Sequence, residues 1–421
     1  MKKVREGYKK TLAGEIPEEW GDEELNKLVD KITDGTHKTP TYTESGIPFL
    51  RVTDIQKSEI DWSNVKYISQ EEHVELIKRC NPEIGDILYS KNGTIGIPKI
   101  IDWDNEFSIF VSLCLIKMKK QESCIYNKYL EQFLKSDSCM RQIRLRAKQG
   151  TVTNLHLEEI RELIIPIPTI KEQEKIASIL SNVDEQIDNV DALIEKNKEL
   201  KKGLLQTLLT KGIGHTKFKK TEIGEIPEAW EVKKIIDIAN TTSGGTPSRA
   251  KKEYYENGIY PWVKTGELYN KYISKTEEYI TEDALKKSSA KLVPEGAVII
   301  AMYGATIGKL SIAKRSVTTN QACCSIICNN NICYNEYLYY RLNFEKENII
   351  NLGAGGAQPN ISQDIIKNYK LAIPTRGEQQ RIVLILSELD KKIDEYENKK
   401  QKLEALKKGL MQQLLSGKIR V

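Results

Sequence analysis

The chain is written twice, and that constrains its fold more than any other feature. YKKTLAGEIPEEW from Tyr8 returns as FKKTEIGEIPEAW from Phe218, an offset of 210 residues. A second matched block, Asn154 to Thr210 against Asn360 to Ser416, has an offset of 206, so the first copy is four residues longer between its ends. Within this block PTIKEQEKIASILSNVDEQID from Pro168 aligns with PTRGEQQRIVLILSELDKKID from Pro374, and KKGLLQTLL from Lys201 with KKGLMQQLL from Lys407. Between the matched ends only islands survive, such as YNKYL at Tyr126 against YNEYL at Tyr334, and GTIG at Gly93 against GATIG at Gly304. Units of about 200 residues are far longer than a solenoid repeat, so the pattern is a domain duplication. Shared ends with divergent middles suit two readers of different targets built on one scaffold.

The matched ends carry two long helical patterns. In the first copy apolar residues run Ile176, Leu180, Val183, Ile187, Val190 and Ile194, alternating steps of four and three, and resume at Leu204 and Leu208. The second copy gives Ile382, Leu386, Leu389, Ile393 and Tyr396, then Leu403, Leu410 and Leu414, with Lys400 and Lys407 interrupting. This is a heptad seam. Pro168 and Pro374 precede the starts, and Gly212 and Gly417 follow the ends, so each helix is expected to span about 38 residues, or roughly 57 Å. A seam of this kind also serves dimerisation between chains. The internal copy favours antiparallel pairing within one chain, with the repeats related by a pseudo-twofold axis.

The middles, Gly21 to Thr153 and Glu231 to Pro359, read as mixed α/β. Short β-like runs appear in IPFLRV, GDILYS and SIFVSLCLI, and in IYPWVK, GAVIIAMY and ACCSIIC, with helix-like segments from Tyr126 and Tyr334. A charged fraction of 29% beside 39% hydrophobic residues fits long solvated helices next to ordinary cores, and a net charge of +5 leans only slightly toward a polyanion. The longest apolar runs are too short to span a bilayer, so a cytoplasmic location without membrane partners is expected. Eight cysteines form no CxxC pair and the four histidines lie away from them, so no metal site is expected. Cys323, Cys324, Cys328 and Cys333 read as reduced, buried strand residues.

Glycine-bearing polar loops punctuate both middles: TDGTHKTP at Thr33, SKNGTIG at Ser90 and KQGTVTN at Lys148, with counterparts TSGGTPSRAKK at Thr242, MYGATIGK at Met302 and GAGGAQPN at Gly353. Glycine permits close backbone approach to a phosphate or base edge, and the polar side chains supply contacts. Candidate DNA-contacting residues are Thr36, His37, Lys38, Arg51, Thr53, Lys91, Asn92, Thr94, Lys148, Gln149, Thr151 and Asn154 in the first copy. In the second they are Thr246, Ser248, Arg249, Lys264, Thr265, Tyr303, Thr306, Lys309, Gln358 and Asn360. Any one such loop is also readable as an ordinary surface turn. Arg51 and Lys264 are equally readable as salt-bridged strand ends, and Tyr303 as core.

With these segments in hand, the chain resembles the DNA-specificity subunits of type I restriction-modification systems. The resemblance lies in GEIPEEW and GEIPEAW, PFLRVTDI at Pro48, GDILYSKNGTIG at Gly85, AQPNIS at Ala357, and the IPIP and AIP segments before the EQ-containing helices at Glu172 and Glu378. It covers nearly the whole chain. The two halves differ at TSGGTPSR against TDGTHKTP and PWVKTGEL against PFLRVTDI, so base preference does not transfer between them. The resemblance implies two mixed α/β target-recognition domains, at 1–153 and 218–359, separated by two long antiparallel helices forming an intramolecular coiled coil within helical regions 154–217 and 360–421. It further implies that each domain reads one half of a bipartite, asymmetric double-stranded DNA target while the helices fix the unread spacer. Two methyltransferase subunits would carry S-adenosylmethionine and methylate a flipped adenine, and restriction subunits would use ATP and Mg. No cofactor is expected in this chain, and no catalysis. It has no GxxxxGK[ST] loop, because GATIGKL at Gly304 is misspaced, and no Pro-Pro pair for an adenine methyltransferase motif. The alternative is a non-catalytic coiled-coil scaffold whose variable domains bind protein or glycan.

Overall fold

The computed structural model describes residues 4–57, 59–121, 123–146, 154–353 and 360–421. The chain divides into two compact units, Met1–Ala192 with Tyr396–Val421, and Leu193–Glu395. The first long helix, Ile170–Thr210, and the second, Arg376–Leu414, each contribute one part to each unit.

The repeated GEIP segment is the second strand of a hairpin. Tyr8–Thr11 pairs antiparallel with Gly14–Pro17, and Phe218–Thr221 with Gly224–Pro227. The tryptophan that follows, Trp20 or Trp230, is buried. Next comes a strand, Gly21–Glu24 or Glu231–Lys234, which pairs with the strand Ile164–Ile167 or Lys370–Ile373 that leads into the long helix.

At the start of each long helix the repeated Glu-Gln pair is consumed in structural bonds. Gln173 is fully buried; its Oε1 accepts from the Tyr126 N–H (2.7 Å), and its Nε2 donates to the carbonyls of Cys124 (2.9 Å) and Pro168 (3.0 Å). Gln379 repeats this with the Tyr334 N–H (2.8 Å) and the carbonyls of Ile332 and Pro374 (2.9 Å each). Glu378 accepts from the Trp230 indole (3.0 Å) and lies 2.9 Å from His215 Nε2, while Glu172 takes Arg420 Nε at 2.7 Å, with the Arg420 guanidinium over the Trp20 ring. Gly212 and Gly417 turn the chain after the helices with φ of +69° and +65°. A Cβ at Gly212 would sit 2.8 Å from Trp230, and one at Gly417 would sit 2.4 Å from Pro17, so only glycine fits. The repeated motifs are thus a lock between opening hairpin, helix start and helix end.

Within the first unit, Asp184 pairs with Lys407 and Asp191 with Lys400 (2.7 Å); within the second, Lys201 pairs with Asp390. Each advance along one helix is matched by an equal retreat along the other, which is an antiparallel register. Ile176, Leu180, Val183, Val190, Ile194, Ile382, Leu386, Leu389 and Ile393 are buried, and Ile187 and Tyr396 partly so. Lys400 and Lys407, which interrupt the heptad pattern, are the residues that reach across to Asp191 and Asp184. Such part-exposed pairs contribute little, about 0–1 kcal/mol. Lys400→Leu is therefore expected to shift stability by less than about 1 kcal/mol in urea unfolding; a larger loss would give this pair a role its exposure does not support.

The middle of each unit holds two small sheets. In the first, Lys31–Asp34, Leu113–Lys117, Ile87–Ser90 and Pro98–Ile100 form an antiparallel four-stranded sheet, while Ile47–Leu50 lies between Lys66–Ile68 and, in parallel, Ser108–Ile109. In the second, Ala239–Ser243, Cys323–Cys328, Val298–Ala301, Leu310–Ala313 and Tyr272–Ile273 form five strands, and Tyr260–Val263 lies between Tyr279–Ile280 and, in parallel, Val317–Thr319. One expectation is corrected. The run SIFVSLCLI is two strands in two different sheets, Ser108–Ile109 and Leu113–Lys117, with a turn between them. Cys323 and Cys324 are buried within their strand and burial pushes both thiols up to about 12; Cys333 is buried beyond it and Cys328 is half-buried.

Candidate nucleic-acid interface

The turn that splits SIFVSLCLI gathers the glycine loops. Phe110 N–H donates to the Leu50 carbonyl (3.0 Å), Thr36 N–H to Ile109 (3.1 Å), Gly35 N–H to Leu113 (3.3 Å), and Lys91 N–H to Ser112 (2.9 Å). Leu155 N–H then donates to the Lys91 carbonyl (2.8 Å), and Asn92 bridges to Asn154. Three segments, around residues 36, 51 and 92, therefore meet at the turn Phe110–Leu113, and the segment at 154 joins them through residues 91 and 92.

The second unit repeats this bond for bond. Asn320 N–H donates to Val263 (2.9 Å), Gly245 N–H to Thr319 (2.8 Å), Gly244 N–H to Cys323 (3.2 Å), Met302 N–H to Ala322 (2.8 Å), and Ile361 N–H to Met302 (2.8 Å), while Tyr303 bridges to Asn360. A Cβ on Gly35 would stand 2.0 Å from the Ile109 carbonyl oxygen, and one on Gly244 would stand 2.2 Å from that of Thr319. These glycines exist to let two backbones touch. Gly93 and Gly304 instead carry φ of +77° and +82° with open space beside them, which makes them turn glycines at the loop tips.

The candidate side chains fall into distinct environments. Asp34, 2% exposed, collects three basic side chains: Lys91 Nζ at 3.3 Å, His37 Nε2 at 3.0 Å and Arg79. Lys91 is itself buried, so its ammonium is committed to Asp34, whereas His37 and Lys38 are exposed. Thr36 accepts from the Lys38 N–H (3.2 Å), which shapes the loop. Arg51 grips Asp54 through Nε and Nη2 at 3.1 Å each, and Lys264 reaches Glu277 and Glu278 at 3.0 Å each, so both are the salt-bridged strand ends that formed the alternative reading. Arg249 pairs with Glu278 and stacks on Tyr255 (4.4 Å) and Trp262 (4.8 Å). Hydrogen bonds from Arg249, with Lys264 adding to them and partial burial opposing, hold the Glu278 carboxyl below the ordinary carboxylate range.

Thr53, Thr94, Asn154, Thr246, Ser248, Lys309 and Asn360 are exposed at the loops, and Asn92, Thr265, Tyr303 and Thr306 are half-buried there. Thr94 accepts from Gln56 (3.3 Å) and Thr246 donates to Gln321. Lys148, Gln149, Thr151 and Gln358 lie outside the described residues. Sequence reasoning missed the gathering turns and the acids that orient the cations. One signal was present: an acid three residues after Arg51 and Lys264, Asp54 and Glu267, accepts from the backbone N–H of each (2.7 Å).

Among the described residues no helix is long and apolar enough to cross a membrane, and no cluster of three or more His, Cys, Asp or Glu could hold a metal ion. Residues 17–201 and 227–405 match the family described as the type I restriction modification DNA specificity domain. The type I restriction enzyme MjaVIII specificity subunit of Methanocaldococcus jannaschii is 27% identical over 99% of this chain and 96% of its own length. In fold, the chain is similar to the type I restriction-modification S subunit from M. genitalium (TM-score 0.61, 18% identity, 98% of this chain and 97% of that one). It is also similar to a chain from a structure concerned with complex assembly and conformational transition of the type I R-M system (TM-score 0.56, 16% identity, 96% and 99% covered). With two family matches, one per repeat, spanning most of its length, this chain belongs to the type I restriction-modification DNA specificity family, whose specificity subunits are non-catalytic.

Proposed function

We propose that the chain reads a bipartite, asymmetric double-stranded DNA target, each unit reading one half through its gathered loops, and that the paired helices set the unread spacer. In this reading two methyltransferase subunits and the restriction subunits dock on it. Methyl transfer from S-adenosylmethionine to adenine and ATP-dependent cleavage belong to those partners. The observation that carries the proposal is the loop cluster, built by the same backbone hydrogen bonds in both units yet tipped with different side chains. A shared frame with unlike tips is what two readers of unlike sequences need, since phosphate contacts position a protein and side chains at base edges specify.

Mapping adenine methylation in cells that co-express the chain with its methyltransferase partner is expected to show one bipartite motif. Absence of a motif would count for the scaffold alternative, in which the variable domains bind protein or glycan. Arg249→Ala serves as the modular test. Arg249 sits on a platform of Tyr255 and Trp262 with Glu278 orienting its fork, a geometry suited to bidentate contact worth about 1–3 kcal/mol of base discrimination. The expected outcome is relaxed preference in one half-site, the other unchanged; altered readout of both halves contradicts reading by separate units.

A further inference from the structure

Val111 and Gln321 stand at the tips of the two gathering turns. Each turn closes in the same way, Leu113 N–H donating to the Phe110 carbonyl (2.9 Å) and Cys323 N–H to that of Asn320 (3.1 Å). The bonds that gather the loops correspond, so Val111 and Gln321 occupy equivalent points of the two frames; one bond differs, the Val111 N–H donating to the Thr36 carbonyl (3.0 Å) while the carbonyl of Gly245 accepts from the Trp262 indole (3.0 Å). Their chemistry is opposite. Val111 offers half-buried hydrocarbon, whereas Gln321 offers an exposed amide.

The Gln321 carbonyl accepts from the Thr246 hydroxyl, which fixes the amide, and among the described residues its NH2 group makes no hydrogen bond. In the same unit Glu278 holds both Arg249 and Lys264. Beside Gln321 the buried Thr319 hydroxyl and Asn320 side-chain oxygen also lack partners among the described residues. A polar group held in place with its donors unspent, at the centre of a loop cluster, is equipped for a partner that brings acceptors. A side-chain amide matches adenine, accepting from N6 and donating to N7, and the carbonyl keeps a second lone pair for this after Thr246 has taken one. An apolar side chain matches the thymine methyl group.

We propose that Gln321 and Val111 are specificity-determining residues, the tip amide of one unit taking an adenine and the tip valine of the other a thymine at the equivalent position of its half-site. This rests on the DNA-reading role proposed above. The test is the methylation motif of cells expressing the full chain with its methyltransferase partner, as wild type, Q321V and V111Q. Q321V is expected to change one base pair of one half-site, lowering the preference for adenine there by about 10- to 100-fold, and V111Q to change one base pair of the other half-site. Unchanged motifs in both variants, or a variant that alters both halves, overturn the proposal. If Q321V abolishes methylation, Q321N decides: an amide variant that restores the original motif supports the role, and one that does not overturns it. A wild type that marks no bipartite motif would instead sink the DNA-reading function itself.

Discussion

Gln379→Leu is expected to destabilise the second unit by about 3–6 kcal/mol, although leucine is close to glutamine in size. The substitution deletes three hydrogen bonds at once and strands the Tyr334 N–H and the Ile332 and Pro374 carbonyls, all held by a side chain with no exposure. A buried polar backbone group deprived of its partner costs about 1–3 kcal/mol, and the lower half of that range, applied three times, gives the estimate. Against a domain stability of about 5–15 kcal/mol the loss is large. The loss is not spread evenly. Gln379 ties the start of the second long helix to the segment that opens helix Asn335–Phe344, all within one unit, so hydrogen exchange should accelerate across Leu193–Glu395 first. Gln173→Leu should do the same to the other unit through Tyr126, Cys124 and Pro168. Unfolding free energies in urea for both variants within about 1 kcal/mol of wild type would show that the repeated glutamines do not anchor these helices.

The glutamine lock also shows what the sequence makes legible. The repeat, the heptad seam, the helix limits set by Gly212 and Gly417, and the strand at GDILYS follow from periodicity and from residues with restricted backbone choices, which act locally. The family resemblance included GEIPEAW and the Glu-Gln pairs, and the structure shows what these residues hold: Gln173 and Gln379 each bind three backbone groups in the same way, while Glu378 takes the Trp230 indole and Glu172 takes Arg420. Lys400 and Lys407 read as breaks in the seam because a heptad count is blind to the acid on the facing helix; Asp191 and Asp184 supply it. The loops were legible as loops, but not the environment of each cation. Nothing local to Lys91 announces that Asp34 will bury it, because the two meet only after strands Lys31–Asp34 and Ile87–Ser90 flank Leu113–Lys117 in one sheet. The turn at Phe110–Leu113 was hidden for a related reason: unbroken hydrophobicity reads as one strand, and only the pairing of its two ends with different sheets divides it.

Lengthening both long helices by four residues, after Glu195 in the first and before Tyr396 in the second, is expected to widen the unread spacer while leaving both half-sites intact. The insertions must be paired. The helices run antiparallel, so an insertion in the first alone would slide Lys201 off Asp390 and carry Leu204 and Leu208 out of the core that also holds Ile382 and Leu386. Four residues added to a seam of alternating threes and fours amount to a stutter, which unwinds the pair locally and keeps the apolar stripe continuous. The added helix is about 6 Å long and turns about 40° beyond a full circle. One B-DNA step advances about 3.4 Å and turns about 34°. Rotation is therefore satisfied by one extra base pair and length by nearly two, so the methylation motif should gain one or two unread positions. Rotational mismatch at two base pairs, about 30°, is small enough for loops to absorb, whereas no change in spacing would leave about 6 Å of strut unaccounted for and would remove the helices from any role in measuring the target.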